Sequence, residues 1–311
     1  MAILSSLFKQ TMLAGVALQL WLASLQDVGV SGGLEKRAEA VSNVVRVLGY
    51  TPSKPAAIVA AVIYITCGLC FFYHTFRRKN YWALCLPIGS CAMGIGFVIR
   101  IMLNNPDHQK RGPFVAEEIL TACSPATFLA FNYIVHGRLL GNCMGKRHSY
   151  IPPTYVSWFF VCSDLLTFVV QAAGTAMFTK TSTLETGKTV FQVGVILQSA
   201  SYYVFFILYF LSWRSCRKEG IATGREAWWK IYKLLGVSSF FITVRTIFRI
   251  AESCSDPGTP IRTREVYLYV FDTLPLFLAI VGYIFWWPGP YLERDSIADA
   301  VPMEKVSTSS V

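Results

Sequence analysis

The stretch Leu234–Ser253, LLGVSSFFITVRTIFRIAES, opens with ten residues that carry no formal charge and closes with Arg245, Arg249 and Glu252. Its length matches the roughly 20 residues that take a helix across a hydrocarbon core about 30 Å thick. The three charges recur at i, i+4 and i+7, so a helix gathers them on one face near one end. At the centre of a bilayer each costs on the order of 3 kcal/mol or more, which drives such groups into the interior of a bundle where they pair. The stretch therefore reads as a membrane-spanning helix that needs neighbours of opposite charge.

Working outward, seven segments meet the length and polarity of a span: roughly 56–74, 82–102, 116–139, 157–178, 190–212, 231–250 and 266–287. The 311 residues are 54% hydrophobic and 15% charged, and the mean hydropathy of +0.46 lies above the range of a soluble domain. The predicted fold class is all-α, a polytopic seven-transmembrane-helix bundle with its N-terminus outside and its C-terminus cytoplasmic. The net charge of +10 sits in Lys and Arg between the apolar runs. That placement excludes a nucleic-acid partner and fits loops facing anionic lipid.

Orientation follows from the basic residues. The first, third and fifth loops hold ten Lys and Arg, and the second, fourth and sixth hold six, so the odd loops are assigned to the cytoplasm. Tryptophan prefers the headgroup level, and Trp82, Trp158, Trp213, Trp228, Trp229, Trp286 and Trp287 fall at the predicted cytoplasmic helix ends. Residues 1–25 read as a secretory signal peptide or an N-terminal apolar helix, two alternatives the sequence leaves open. Residues 26–55 form an extracellular or lumenal segment, 56–287 the helical domain and 288–311 a short cytoplasmic tail expected to be disordered. Lys36-Arg37 has the form of a dibasic processing site, and no Asn-x-Ser/Thr sequon occurs.

Several chemistries find no support. Cys67-Gly-Leu-Cys70 lies inside an apolar run with no second Cys or His pair at ligand spacing, so it reads as packing. Thr186-Gly-Lys-Thr189 lacks the earlier glycine of a phosphate-binding loop, that position being Ser182. No hydrolase or metalloprotease motif is present. No enzyme activity, cofactor or metal is expected.

The polar groups inside the spans form two sets. Toward the outer side lie Arg100, Glu118, Arg245, Arg249, Glu252, Glu265 and Asp272, with Glu118, Glu252 and Asp272 as partners for the arginines. Deeper lie Asp164, Phe168 and Gln171 at i, i+4 and i+7, facing a stripe of Glu118, Thr121, Pro125, Asn132 and His136. Pro125 cannot donate to the carbonyl of Thr121, so a kink is expected there with a freed acceptor. The sets read either as ion pairs that lock helices together or as a polar substrate path, and both readings stay open. For His136 alone an interhelical hydrogen bond is the preferred reading. Cys85, Gly89, Ala92 and Gly96 recur on one face and predict close packing against a neighbouring helix.

These motifs resemble the fungal lipid-translocating exporter family, the RTA-like seven-helix proteins named for aminocholesterol resistance. The resemblance covers roughly Tyr50 to Leu292. It rests on Tyr50 with Pro52-Ser53, IGSCAMGIGFVIR (Ile88–Arg100), SPATFLAFNYIVHGR (Ser124–Arg138), SDLLTFVVQAAG (Ser163–Gly174), VRTIFRIAE (Val244–Glu252) and EVYLYVFDTLP (Glu265–Pro275). It implies a fungal source, seven spans with the N-terminus outside, and export or tolerance of amphipathic lipids such as sphingoid bases or sterol-like toxins. The chain departs from the family where a Glu is usual at Met93, a Tyr at Phe97 and a His at Trp287.

The function this implies is a lipid exporter or translocator of the plasma membrane or another endomembrane, without its own ATPase. Its partners would be membrane lipids and an amphipathic small-molecule substrate, and the oligomeric state is left open. The substrate-pathway residues expected are Arg100, Glu118, Asn132, His136, Asp164, Gln171, Arg245, Arg249, Glu252 and Asp272. The competing class is a seven-helix receptor or regulator of lipid stress that signals through its basic fifth loop.

Overall fold

A computed structural model describes residues 53–103, 111–144, 153–177, 183–218, 227–256 and 259–292. The leader alternatives, the Lys36-Arg37 site and the tail from residue 293 lie outside the described residues. Seven helices are long and apolar enough to cross a membrane, and the chain is a multi-pass membrane protein. They are α1 (Lys54–Arg77), α2 (Cys85–Leu103), α3 (Arg111–Arg138), α4 (Pro153–Met177), α5 (Leu184–Lys218), α6 (Trp228–Cys254) and α7 (Glu265–Phe285). A short 3₁₀ turn, Tyr81–Ala83, leads into α2, and a π turn, Leu139–Met144, extends α3. Helices satisfy their backbone groups internally, which hydrocarbon requires.

Consecutive helices pack against one another, α7 returns to lie on α6 and α1, and α3 also touches α6. The hub is α3, with 78% of its apolar window buried against 33–61% for the other spans. Outward faces are apolar: Val59, Val62 and Leu69 on α1, Leu166 on α4, Ile207 on α5, Phe240 on α6 and Phe285 on α7 are all exposed. Such a surface suits lipid and no other solvent.

Small residues set the closest approaches, as the stripe on α2 predicts. A Cβ on Gly89 would overlap Thr127 of α3, and one on Gly96 would meet Thr121 at 3.0 Å. The same device joins α4 to α5, where a Cβ on Gly174 would lie 2.6 Å from the backbone nitrogen of Phe191. Backbones brought this near gain dispersion contact that larger residues would prevent.

Sequence and structure differ at three places. α5 begins at Leu184, earlier than expected, and takes Thr186–Thr189 into its first turns. Its 35 residues span about 50 Å, well beyond the hydrocarbon core. Residues just after α7 are anchored: Gly289–Leu292 form a helical turn, with Asn142 donating to the carbonyl of Leu292 at 2.8 Å. Around Pro125 the hydroxyls of Thr121, Ser124 and Thr127 donate to the carbonyls of Glu117, Glu118, Leu120 and Ser124, none to that of Thr121.

Gly174→Ala forces the α4 and α5 backbones apart, for which about 1–3 kcal/mol of destabilisation is expected. Thermal unfolding of the purified chain in detergent checks this against Gly141→Ala, where nothing lies within 4 Å of an added Cβ. Equal midpoints for the two variants would contradict the packing account.

Candidate functional site

Two ion clusters form at the end of the bundle that carries the second, fourth and sixth loops. In the first, Arg100 of α2 reaches Glu117 of α3 at 2.8 Å and Glu265 of α7 at 3.5 Å. Arg100 is 3% exposed and Glu117 1%, so neither charge relies on water. Glu265 also accepts from the backbone N–H of Ser53 at 2.7 Å and from the Tyr269 hydroxyl at 3.3 Å. One carboxylate thus ties the start of α1 to α2 and α7.

In the second cluster Arg245 and Arg249 of α6 share Asp272 of α7, at 3.0 and 3.7 Å, and Arg249 also meets Glu252 at 2.9 Å. An ideal α-helix would place Glu265 and Asp272, seven residues apart, on one face. A π turn, Tyr269–Thr273, intervenes and brings Asp272 to α6 while Glu265 stays with α2. Such single π turns recur at functional sites. Tyr64 of α1 steadies it by donating to the carbonyl of Thr273 at 2.7 Å.

The second cluster is not saturated. The Arg245–Asp272 contact is close but poorly aligned, so neither Arg245 Nε nor Asp272 Oδ1 completes a hydrogen bond. Both arginines line a small cleft between α3, α4, α5 and α6, with Ala122, Pro125, Gln171 and Gln198 among its walls. Gln171 donates to Gln198 at 2.9 Å across the α4–α5 seam.

The deeper set does not form a continuous path. Asp164 accepts from the Tyr133 hydroxyl at 2.9 Å, and Asn132 pairs with Ser238 and Tyr283. His136 packs edge-on against Phe205, and its Nδ1 has no hydrogen-bond partner, contrary to the expected interhelical bond. Aromatic rings of Tyr133, Phe160 and Phe205 fill the space around them. Of the deeper residues Gln171 lines the cleft, whereas Asn132, His136 and Asp164 do not. Arg100 is likewise absent from its walls, held in the first cluster.

Glu117 is the acid that sequence reasoning misses, Glu118 being the one expected to pair with an arginine. Adjacent helical residues point about 100° apart, and the distinguishing signal is the stripe Glu117, Thr121, Phe128, whose later members meet the α2 glycines. Glu118 lies on another stripe and makes no ion pair among the described residues. Thr121 faces α2 rather than the cleft. Met93 and Phe97, the two departures on α2, are buried with Tyr64 in the apolar core.

Seven lipid-facing helices that hide paired charges beside a polar cleft define a polytopic membrane protein with an internal polar site. A family model described as RTA1-like protein matches residues 86–295, and the chain belongs to that family. It is similar to protein RTA1 of Saccharomyces cerevisiae, 24% identical over 266 residues that cover 77% of this chain and 84% of the relative. Protoporphyrin uptake protein 1 of the same yeast is 26% identical over 275 residues, covering 75% and 89%. The sphingoid long-chain base transporter of that yeast is 25% identical over 215 residues, covering 57% and 56%. No solved structure matches the chain.

Arg100→Leu strips Glu117 and Glu265 of their guanidinium, and a loss of about 3–5 kcal/mol is expected, because breaking a buried pair leaves an uncompensated charge. The measurement is the thermal midpoint and the yield of folded protein. Glu117→Gln made in the same background should recover part of the loss, and a midpoint unchanged in Arg100→Leu would refute the structural role.

Proposed function

We propose that this chain moves amphipathic lipid across a membrane, as an exporter or translocator without its own ATPase. The observation that carries the reading is the cleft whose wall holds Arg245 and Arg249 at membrane depth. About nine residues separate Arg245 from the end of α6, or roughly 14 Å of helix. A headgroup meeting fixed charges at that depth loses less hydration energy than it would in bare hydrocarbon, while its chain stays in lipid. The names of relatives, among them a sphingoid long-chain base transporter and a probable lipid transporter, support the same class.

The positive-inside count puts the charged end outside and the tryptophan-rich end in the cytoplasm. The plasma membrane is the proposed location. No catalysis is assigned; among the described residues no group of His, Cys, Asp or Glu is placed to hold a metal ion.

Purified protein reconstituted into liposomes with fluorescent lipid probes tests the reading, and protein-dependent movement of at least one probe is expected. Arg249→Ala should lower that rate about ten-fold while leaving expression intact, because Asp272 keeps Arg245 as partner. No movement of any probe, with lipid tolerance still conferred in cells, would favour a seven-helix receptor signalling through the basic fifth loop. A carboxy-terminal tag should be reachable from the cytoplasm alone, and labelling from outside intact cells would overturn the orientation.

A further inference from the structure

The cleft and its rim carry charges of both signs in a fixed order along the membrane normal. Its wall holds Arg245 and Arg249, one helical turn apart on α6, and no carboxylate belongs to its lining. The α3 wall is Ala122, Pro125 and Leu129, spaced by three and four residues. Continuing that stripe one turn toward the charged end gives Glu118, four residues before Ala122. Glu118 is half-buried and makes no ion pair among the described residues, unlike Glu117, Glu252, Glu265 and Asp272.

We infer that the cleft takes a zwitterionic headgroup, its phosphate against Arg245 and Arg249 and its ammonium against Glu118 at the rim. Three observations lead there. Arg245 is 8% exposed and lines the cleft together with Arg249, so the two guanidiniums present donors to a ligand oxygen there. Guanidinium binds phosphate oxygens in paired, charge-assisted hydrogen bonds. The groups beside the cleft decide between ligands: Arg245 and Arg249 present donors to it, and Glu118 is an acid without an ion pair among the described residues. A purely anionic headgroup leaves Glu118 without a cation, a purely cationic one meets the two guanidiniums, and a zwitterion serves both.

The order of the groups also fits a lipid in its ordinary pose. One helical turn is about 5.4 Å, which matches the few ångströms between phosphorus and nitrogen in such a headgroup. With the phosphate at the deeper arginines and the ammonium toward the membrane surface, the acyl or sphingoid chain points to the bilayer centre. Phosphatidylethanolamine and ceramide phosphoethanolamine share this order of groups, a glycerolipid and a sphingolipid with the same headgroup.

The inference deepens the lipid-handling reading, and binding separates the two. Purified full-length protein in detergent is titrated with dioctanoyl phosphatidylethanolamine, short-chain ceramide phosphoethanolamine, dioctanoyl phosphatidic acid, sphinganine and dioctanoylglycerol, and binding is followed by microscale thermophoresis. The two zwitterions should bind at least ten-fold more tightly than the other three, and whichever zwitterion is tighter names the source. Arg249→Gln should weaken both zwitterions and phosphatidic acid about ten-fold and leave sphinganine and dioctanoylglycerol unchanged. Glu118→Gln should remove the preference of phosphatidylethanolamine over phosphatidic acid. Sphinganine, phosphatidic acid or dioctanoylglycerol binding as tightly as the zwitterions in the unmodified protein would overturn the inference, whatever the variants do. Lipid movement in liposomes without zwitterion preference sinks this inference alone; selective binding without movement sinks the transport reading alone.

Discussion

Hydrocarbon offers nothing to an unpaired charge, and that constraint organises the charged end of this bundle. The three guanidiniums held within its spans each meet a carboxylate from another helix: Arg100 draws in Glu117 of α3 and Glu265 of α7, and Arg245 and Arg249 draw in Asp272. α7 serves both clusters, so α2, α3, α6 and α7 are linked through its first turns. Serving two directions from one helix requires a break in its regular winding. The π turn at Tyr269–Thr273 provides it, and the Tyr64 hydroxyl holds one of its carbonyls.

The opposite end is built differently. Seven tryptophans lie there, with the Arg138 guanidinium 4.4 Å from the centre of the Trp82 ring and Trp287 stacked on His74 at 5.5 Å. Between the ends, tyrosine hydroxyls bond to carbonyls on neighbouring helices. Tyr209 and Tyr232 each donate to the other's backbone oxygen, at 3.0 and 2.8 Å, and Tyr202 donates to Ser239 at 2.7 Å. These neutral bonds fix α5 to α6 without a buried charge. Among the described residues the ion pairs lie in one half of the protein, where the cleft lies.

The spans were legible because a helix crossing lipid must be long and apolar, a demand satisfied by local composition. The stripe containing Gly89 and Gly96 was legible for a related reason, since only small residues at helical spacing let a neighbouring backbone approach. Boundaries were less so: α5 continues through the polar stretch Glu185–Thr189 to Leu184, where apolarity ends but hydrogen bonding along the helix does not. Charged residues in the spans were visible as a set, and their burial follows from cost alone.

Their partners were visible only in part: Asp272 and Glu252 pair with the arginines of α6 as expected, whereas Glu118 does not and Glu117 takes Arg100. Glu117 and Glu118 are equal as letters, and only the rotation of α3 against α2 sends the first to Arg100 and leaves the second beside the cleft. Asp164, Asn132 and His136 look like the lining of a path on a helical wheel, yet Tyr133, Phe160 and Phe205 occupy the space between them. The sequence by itself determined seven membrane spans and the need to pair their charges, because the solvent imposes both on every residue separately. Which charge meets which, and where a cleft remains open, was decided by the tertiary structure, because helix rotation and the π turn in α7 depend on contacts between segments far apart in the chain.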